Sequence, residues 1–200
     1  MEKPDPTRLL TRAQRSLEAQ QFEEARAAIE EGQARFPDDD KVRELYRQIH
    51  LADGVRRHRT AQDLRRDEMQ TLGKKDRPGY RNSEPVTEGF REAIASLDRV
   101  LALEPDHAKA MMLKAGVLDR MDREGTRGEV RALLTRALSL HPGNAELLFA
   151  QGRLSAPCPH CQDTGFCPDC HGGGEISALV MKRTCPTCRG RGICLRCGLF

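Results

Sequence analysis

Eight cysteines carry most of the chemistry this chain could do. They lie between Cys158 and Cys197 in a sequence of 200 residues, and the first 157 positions hold none. They form four CxxC pairs: Cys158 with Cys161, Cys167 with Cys170, Cys185 with Cys188, and Cys194 with Cys197. Five residues separate the pairs within each half and fourteen separate the halves, so the pattern is symmetric about the midpoint between residues 177 and 178. A two-residue gap lets both sulfurs of a pair reach one ion. Four such pairs suit two tetrahedral zinc sites of four cysteines each. Glycines follow several pairs, at Gly165, Gly172, Gly174, Gly190 and Gly192. Glycine tolerates the positive φ that turns backbone amides toward anionic sulfur.

Three other thiol chemistries compete with zinc for this pattern. CPHC, at 158 to 161, is a sequence found at disulfide-oxidant active sites. That chemistry needs the first cysteine at a helix N-terminus in a thioredoxin-like βαβ setting, which does not surround Cys158. Disulfides suit oxidising compartments, and adjacent CxxC bridges would be strained. An iron–sulfur cluster accepts four thiolates but usually shows a more compact or differently staggered run. His160 and His171 read as side chains of the turns, because eight cysteines already complete two sites. Closed four-ligand sites leave no open position for water, so the zinc is expected to be structural, with no hydrolytic chemistry.

The motif CxxCxGxG resembles the cysteine-rich zinc domain of DnaJ-type co-chaperones. Cys167–Gly174 and Cys185–Gly192 match it in full, Cys158–Gly165 has Asp163 in place of the first glycine, and Leu199 stands where the fourth copy needs one. The spacers are similar to those of compact stand-alone versions of that domain. The resemblance implies nested pairing, with Cys158, Cys161, Cys194 and Cys197 on one ion and Cys167, Cys170, Cys185 and Cys188 on the other. Two antiparallel arms joined by residues 175–184 would then zip together. The likeness stops there. HPG at 141–143 is a turn after a helix and differs from the HPD loop of J domains, so stimulation of a DnaK-type ATPase is not expected.

Helices must present this tail. Three stretches share one pattern of apolar or small residues closed by proline: Ala25, Ile29, Gly32 and Pro37; Ala93, Leu97, Val100 and Pro105; Val130, Leu134, Ala137 and Pro142. The first three offsets fall on one helical face, and proline ends the helix. Accompanying helices carry Leu9, Leu10, Ala13 and Leu17; Met111, Met112, Ala115, Leu118 and Met121; and Leu147, Leu148 and Leu154. The pattern resembles the tetratricopeptide repeat, a helical hairpin closed by proline. It implies a mainly α fold of antiparallel hairpins over 1–154, followed by a small zinc-stabilised β-hairpin domain over 155–200. The middle repeat is irregular: Val55 to Leu72 is expected to supply its first helix, leaving about 73–87 as an exposed loop.

Composition narrows the function. The chain is 32% charged and 4% aromatic with no Trp, which fits helices better than a large β core. MEKPDPTRLL has no apolar leader core, and no run approaches a membrane span, so a reducing cytoplasmic location is expected. The formal charge of +3 falls to −1 once two zinc ions are each held by four thiolates. Lys182, Arg183, Arg189, Arg191 and Arg196 then compensate the metal centres. Residues 54–81 carry nine Lys/Arg against four acids, a candidate phosphate-binding patch more simply read as a solvated helix face.

No catalytic constellation stands out. The expectation is a non-enzymatic, chaperone-like adaptor whose repeats dock a protein partner and whose tail offers a second surface to an unfolded client. Ile176, Leu179, Val180 and Met181 are either contacts for that client or packing against the last helix of the body. A nucleic-acid-binding zinc protein and a thiol–disulfide oxidoreductase are the alternatives.

Overall fold

The computed structural model describes residues 5–72, 80–154, 156–162, 164–178 and 181–196. Among them lie six helices: α1 Thr7–Glu18, α2 Phe22–Arg35, α3 Asp40–Thr71, α4 Glu84–Leu103, α5 Ala108–Leu140 and α6 Ala145–Leu154. One antiparallel sheet follows, of β1 Glu175–Ala178 and β2 Met181–Thr184. The chain is therefore mainly α with a small C-terminal β-hairpin. No described helix is long and apolar enough to cross a membrane.

Four of the six helix starts carry a side-chain cap. Asp39 accepts from the Lys41 and Val42 amides, Ser83 from Val86, His107 Nδ1 from Ala110 and Asn144 from Leu147. These side chains satisfy amides that have no partner inside the helix.

The repeat positions form the core. Ala25, Ile29, Ala93, Leu97, Val100, Val130, Leu134 and Ala137 are all buried, as are Ala13 and Ala115 of the accompanying helices. Three apolar clusters follow one another: Ala13, Ile29, Val42 and Ile49; then Ala61, Phe90, Leu97 and Val117; then Met111, Leu118, Leu134 and Leu147. Each hairpin buries its face against the next. Leu148 departs from the expectation and lies exposed.

Two boundaries differ from the sequence reading. First, α3 is one helix of 32 residues, continuous through Gly54 rather than beginning at Val55. Gly54 faces Leu97, whose Cγ would lie 3.0 Å from an added Cβ, so this glycine serves a helix crossing instead of a break. The antiparallel α3–α4 pair runs from Asp53–Ser96 through Ala61–Gly89 to Glu68–Ser83. Second, residues 84–87 belong to α4, not to a loop, because Ser83 caps that helix and Pro85 sits in its first turn. Residues 73–79 lie outside the described residues.

The turn in the third repeat is a hairpin within α5. Asp122 has φ −155° and ψ 87°, outside the helical range. Lys114 Nζ lies 3.2 Å from Glu129 Oε1. Fifteen residues along a straight helix span about 22 Å, so the chain has folded back at Asp122.

Among the described residues of the basic stretch, Arg59, Arg66 and Arg81 are exposed, as a solvated face requires, while others turn inward. Arg56 and Arg57 bind the buried Asp53 carboxylate, Arg57 also reaches Glu23 and Glu92, and Arg66 pairs with Asp63. Arg65 is buried and donates to the Arg120 carbonyl at 3.0 Å. Arg56, Arg57 and Arg65 are thus tied to partners within the body.

Candidate metal centre

Two cysteine groups gather in the tail. The Sγ atoms of Cys167, Cys170, Cys185 and Cys188 all lie within 4.8 Å of one another, as do those of Cys158, Cys161 and Cys194. The second half of the cysteine run thus supplies partners to the first in nested order, inner pair with inner and outer with outer. Cys197 lies outside the described residues, as do Leu179 and Val180. His160 and His171 belong to neither group.

Backbone pairing makes the nesting. Glu175 pairs with Thr184, Ile176 with Arg183 and Ser177 with Lys182. Beyond the strands the same antiparallel register continues. Cys185 N–H donates to Gly174 O at 2.9 Å, Cys167 N–H to Gly192 O at 2.9 Å and Cys194 N–H to Gly165 O at 2.8 Å. Phe166 and Ile193 bridge between these last two bonds. The zipped arms therefore align a knuckle from each half beside its counterpart.

Among the described residues, three knuckles turn through positive φ. Gln162, His171 and Arg189, the residues after the second cysteine of a pair, have φ of 50°, 49° and 53°. The final glycines Gly165, Gly174 and Gly192 follow at 74°, 74° and 75°. Gly174 N–H then donates to Cys170 Sγ and Gly192 N–H to Cys188 Sγ, both at 3.2 Å. Amide dipoles directed at sulfur stabilise thiolate over thiol.

The distances fit one cation. Cys167 and Cys185 sulfurs are 3.8 Å apart, and those of Cys170 and Cys188 3.6 Å. Metal–sulfur bonds of about 2.3 Å in a tetrahedron give sulfur–sulfur edges of about 3.8 Å. The thiols themselves show what an ion must overcome. Burial, opposed by the Gly174 amide, pushes Cys170 up to about 12, while the amide of Cys188 draws Cys185 down to about 7. Four thiols crowded together, three of them buried, resist ionising together, and a divalent cation removes that resistance.

The tail meets the body at α3. Phe166, Arg191, Gly192 and Ile193 share a cleft of about 500 Å³ with Arg66, Met69 and Gln70 near the end of that helix. Of the two readings of Ile176, Leu179, Val180 and Met181, client contact or packing on the last helix, the described residues bear only on Ile176 and Met181. Ile176 packs on the inner cysteines, and Met181 is 64% exposed. All four residues of β2 are exposed, so among the described residues neither face of that strand is covered by a second layer.

Sequence reasoning missed Phe166, which directly precedes a CxxC pair as Ile193 does and so was legible as a repeated apolar position. It also missed Asp53. This carboxylate accepts from Ser96 Oγ and Arg57 Nε, both at 2.8 Å, and from Arg56 at 2.7 Å. A lone Asp inside a charged helix carries no signal of burial.

Compared with known proteins, the chain matches no family model, no curated protein and no solved structure.

Proposed function

We propose that this chain is a non-enzymatic, chaperone-like protein adaptor. Its tetratricopeptide-like body docks a protein partner, and its DnaJ-like tail is folded by two zinc ions. Cys167, Cys170, Cys185 and Cys188 hold the inner ion; Cys158, Cys161, Cys194 and Cys197 hold the outer one. The observation that carries the reading is the four-sulfur group at 167, 170, 185 and 188, with glycine amides aimed at two of its sulfurs. An all-thiolate tetrahedral set favours zinc over hard cations and leaves no open position for substrate. The residues outside the sulfurs offer little core, so the metal supplies much of the folding energy of the tail.

Clustered thiols free of disulfide suit a reducing compartment, and the cytoplasm is the proposed location. The nucleic-acid alternative loses support where Arg56, Arg57 and Arg66 are already paired with acids. The redox alternative lacks the helix N-terminus that lowers a reactive thiol.

Metal analysis of protein purified without added zinc, with thiol titration alongside, tests the site. The expected result is about two zinc per chain, with thiols unreactive until chelation. Little metal with reactive thiols or disulfides overturns it and favours the oxidoreductase. Suppression of aggregation of a chemically denatured client, lost on chelation, tests the adaptor role. No effect on the client, with steeply salt-dependent RNA binding instead, overturns that role.

A further inference from the structure

The last helix of the body carries an apolar face that nothing in the described structure covers. Phe149 is 71% exposed and Leu148 50%. Glu146, Phe149, Ala150 and Arg153 recur at helical spacing on one side of α6, and with Met112 and Gly116 of α5 they line an open groove of about 470 Å³. Gly116 leaves room in that groove, since an added Cβ there would meet nothing within 4 Å. An exposed ring beside an unfilled hollow is a knob next to a hole. The tail does not fill it, because its described residues meet the body at α3.

The order of residues along α6 selects the occupant. Counted inward from the two ends, Glu146 corresponds to Arg153 and Phe149 to Ala150. Two copies of α6 laid antiparallel about an axis between residues 149 and 150 would seat each Phe149 over the partner's Ala150 and toward the hollow at Gly116. The same operation sets Glu146 beside the partner's Arg153, and Arg153 beside the partner's Glu146. A parallel arrangement would oppose like charges at both ends. Such self-complementarity under a two-fold axis is what an isologous interface requires. An aromatic anchor in a pocket with a charged rim is also the usual energetic pattern of an interface.

We infer that the α6 face is a homodimer interface, its occupant a second copy of this chain packed antiparallel through Phe149 and the Glu146–Arg153 pairs. The inference is independent of the metal sites.

Sedimentation velocity of the full zinc-loaded chain, from low to high micromolar concentration, tests it. The wild-type chain is expected to dimerise with rising concentration. Phe149→Glu should weaken the dissociation constant by about thirtyfold or more. Phe149 is exposed, so far-UV circular dichroism of that variant should match wild type. Glu146→Arg and Arg153→Glu should each weaken the dimer, and the double exchange should restore it. A chain that stays monomeric throughout overturns the inference, including one that binds another peptide on this face. So does a dimer indifferent to Phe149→Glu, or one that the double exchange fails to restore.

Discussion

Gly192 and Gly172 face each other so closely that a Cβ added to Gly192 would overlap the carbonyl oxygen of Gly172. Gly192 also has φ +75°, and its amide donates to Cys188 Sγ at 3.2 Å. Three demands meet at one residue: a left-handed backbone, a cross-arm contact and a sulfur-directed amide.

Gly192→Ala should therefore open the inner site while sparing the helices. The expected outcome is loss of about one metal ion per chain and rapid reaction of the Cys167, Cys170, Cys185 and Cys188 thiols, with far-UV circular dichroism nearly unchanged. Gly143→Ala is the control, since a Cβ there meets nothing within 4 Å. Wild-type metal content in the Gly192→Ala protein would show that the arms tolerate the side chain.

The tail was legible to a degree that the body was not. A palindromic CxxC spacing leaves few ways to bring sulfurs together, and the antiparallel arms follow from it. The centre of the hairpin was not legible. The cysteines are symmetric about 177–178, while the pairing of Glu175 with Thr184 centres two residues later, between 179 and 180. The offset arises because each knuckle precedes its glycines in both arms, so one arm's cysteine pairs with the other arm's glycine. In the body, the periodic Ala25–Ile29, Ala93–Leu97 and Val130–Leu134 sets announced the buried faces. The continuity of α3 through Gly54 was not legible, because a sequence does not reveal that Leu97, 43 residues away, occupies the space a side chain there would need. Asp53, Arg57 and Ser96 were silent for the same reason: burial of a charge is decided by the partner helix.

Acid should destabilise the body in two stages. Burial, reinforced by Arg99 and Arg26, holds His50 down to about 4, and burial beside Arg120 does the same to His58. Both lie below the unfolded value of 6.5, so the stability they contribute is full above about 6.5 and is lost as pH falls toward 4. At pH 5 the loss is about 2 kcal/mol for His50 and less for the half-buried His58. Burial pushes Asp53 up, but hydrogen bonds from Arg56, Arg57 and Ser96 outweigh it and hold the carboxyl at about 2, below the unfolded 3.8. Its contribution persists through the histidine stage and disappears as pH falls from about 3.8 to 2. Urea unfolding at stepped pH checks this, and His50→Gln should flatten the first stage.

Asp53→Asn should be among the most damaging single changes in the body. The Asp53 side chain is fully buried and faces Arg56, Arg57 and, at 3.3 Å, Arg26. Removing its charge leaves the largely exposed Glu23 as the one carboxylate still beside all three guanidinium groups. Breaking one side of a buried ion pair costs about 3 kcal/mol, reduced here because Arg56 is partly exposed. The loss should appear as a lower urea midpoint at neutral pH. A midpoint equal to wild type would place the stability of the α3–α4 pair in its apolar contacts alone.

The two helical glycines Gly54 and Gly128 should respond to alanine with opposite signs. Helix propensity alone favours alanine over glycine by about 1 kcal/mol at both. At Gly128 nothing lies within 4 Å of the new Cβ, so Gly128→Ala should raise stability by up to that amount. At Gly54 the Cβ would sit 3.0 Å from Leu97 Cγ, 3.1 Å from its Cδ2 and 3.4 Å from the Ala93 carbonyl oxygen. Leu97 is itself buried and has little room to retreat, so α3 and α4 must separate or Leu97 must leave its rotamer. Such overpacking costs about 1–3 kcal/mol, which cancels or exceeds the propensity gain. Gly54→Ala should therefore lower the thermal midpoint, and adding Leu97→Ala should relieve the clash, making the double mutant more stable than the sum of the two single changes. An increase in stability from Gly54→Ala alone would mean that the crossing is looser than its geometry and that Gly54 is a simple helical defect.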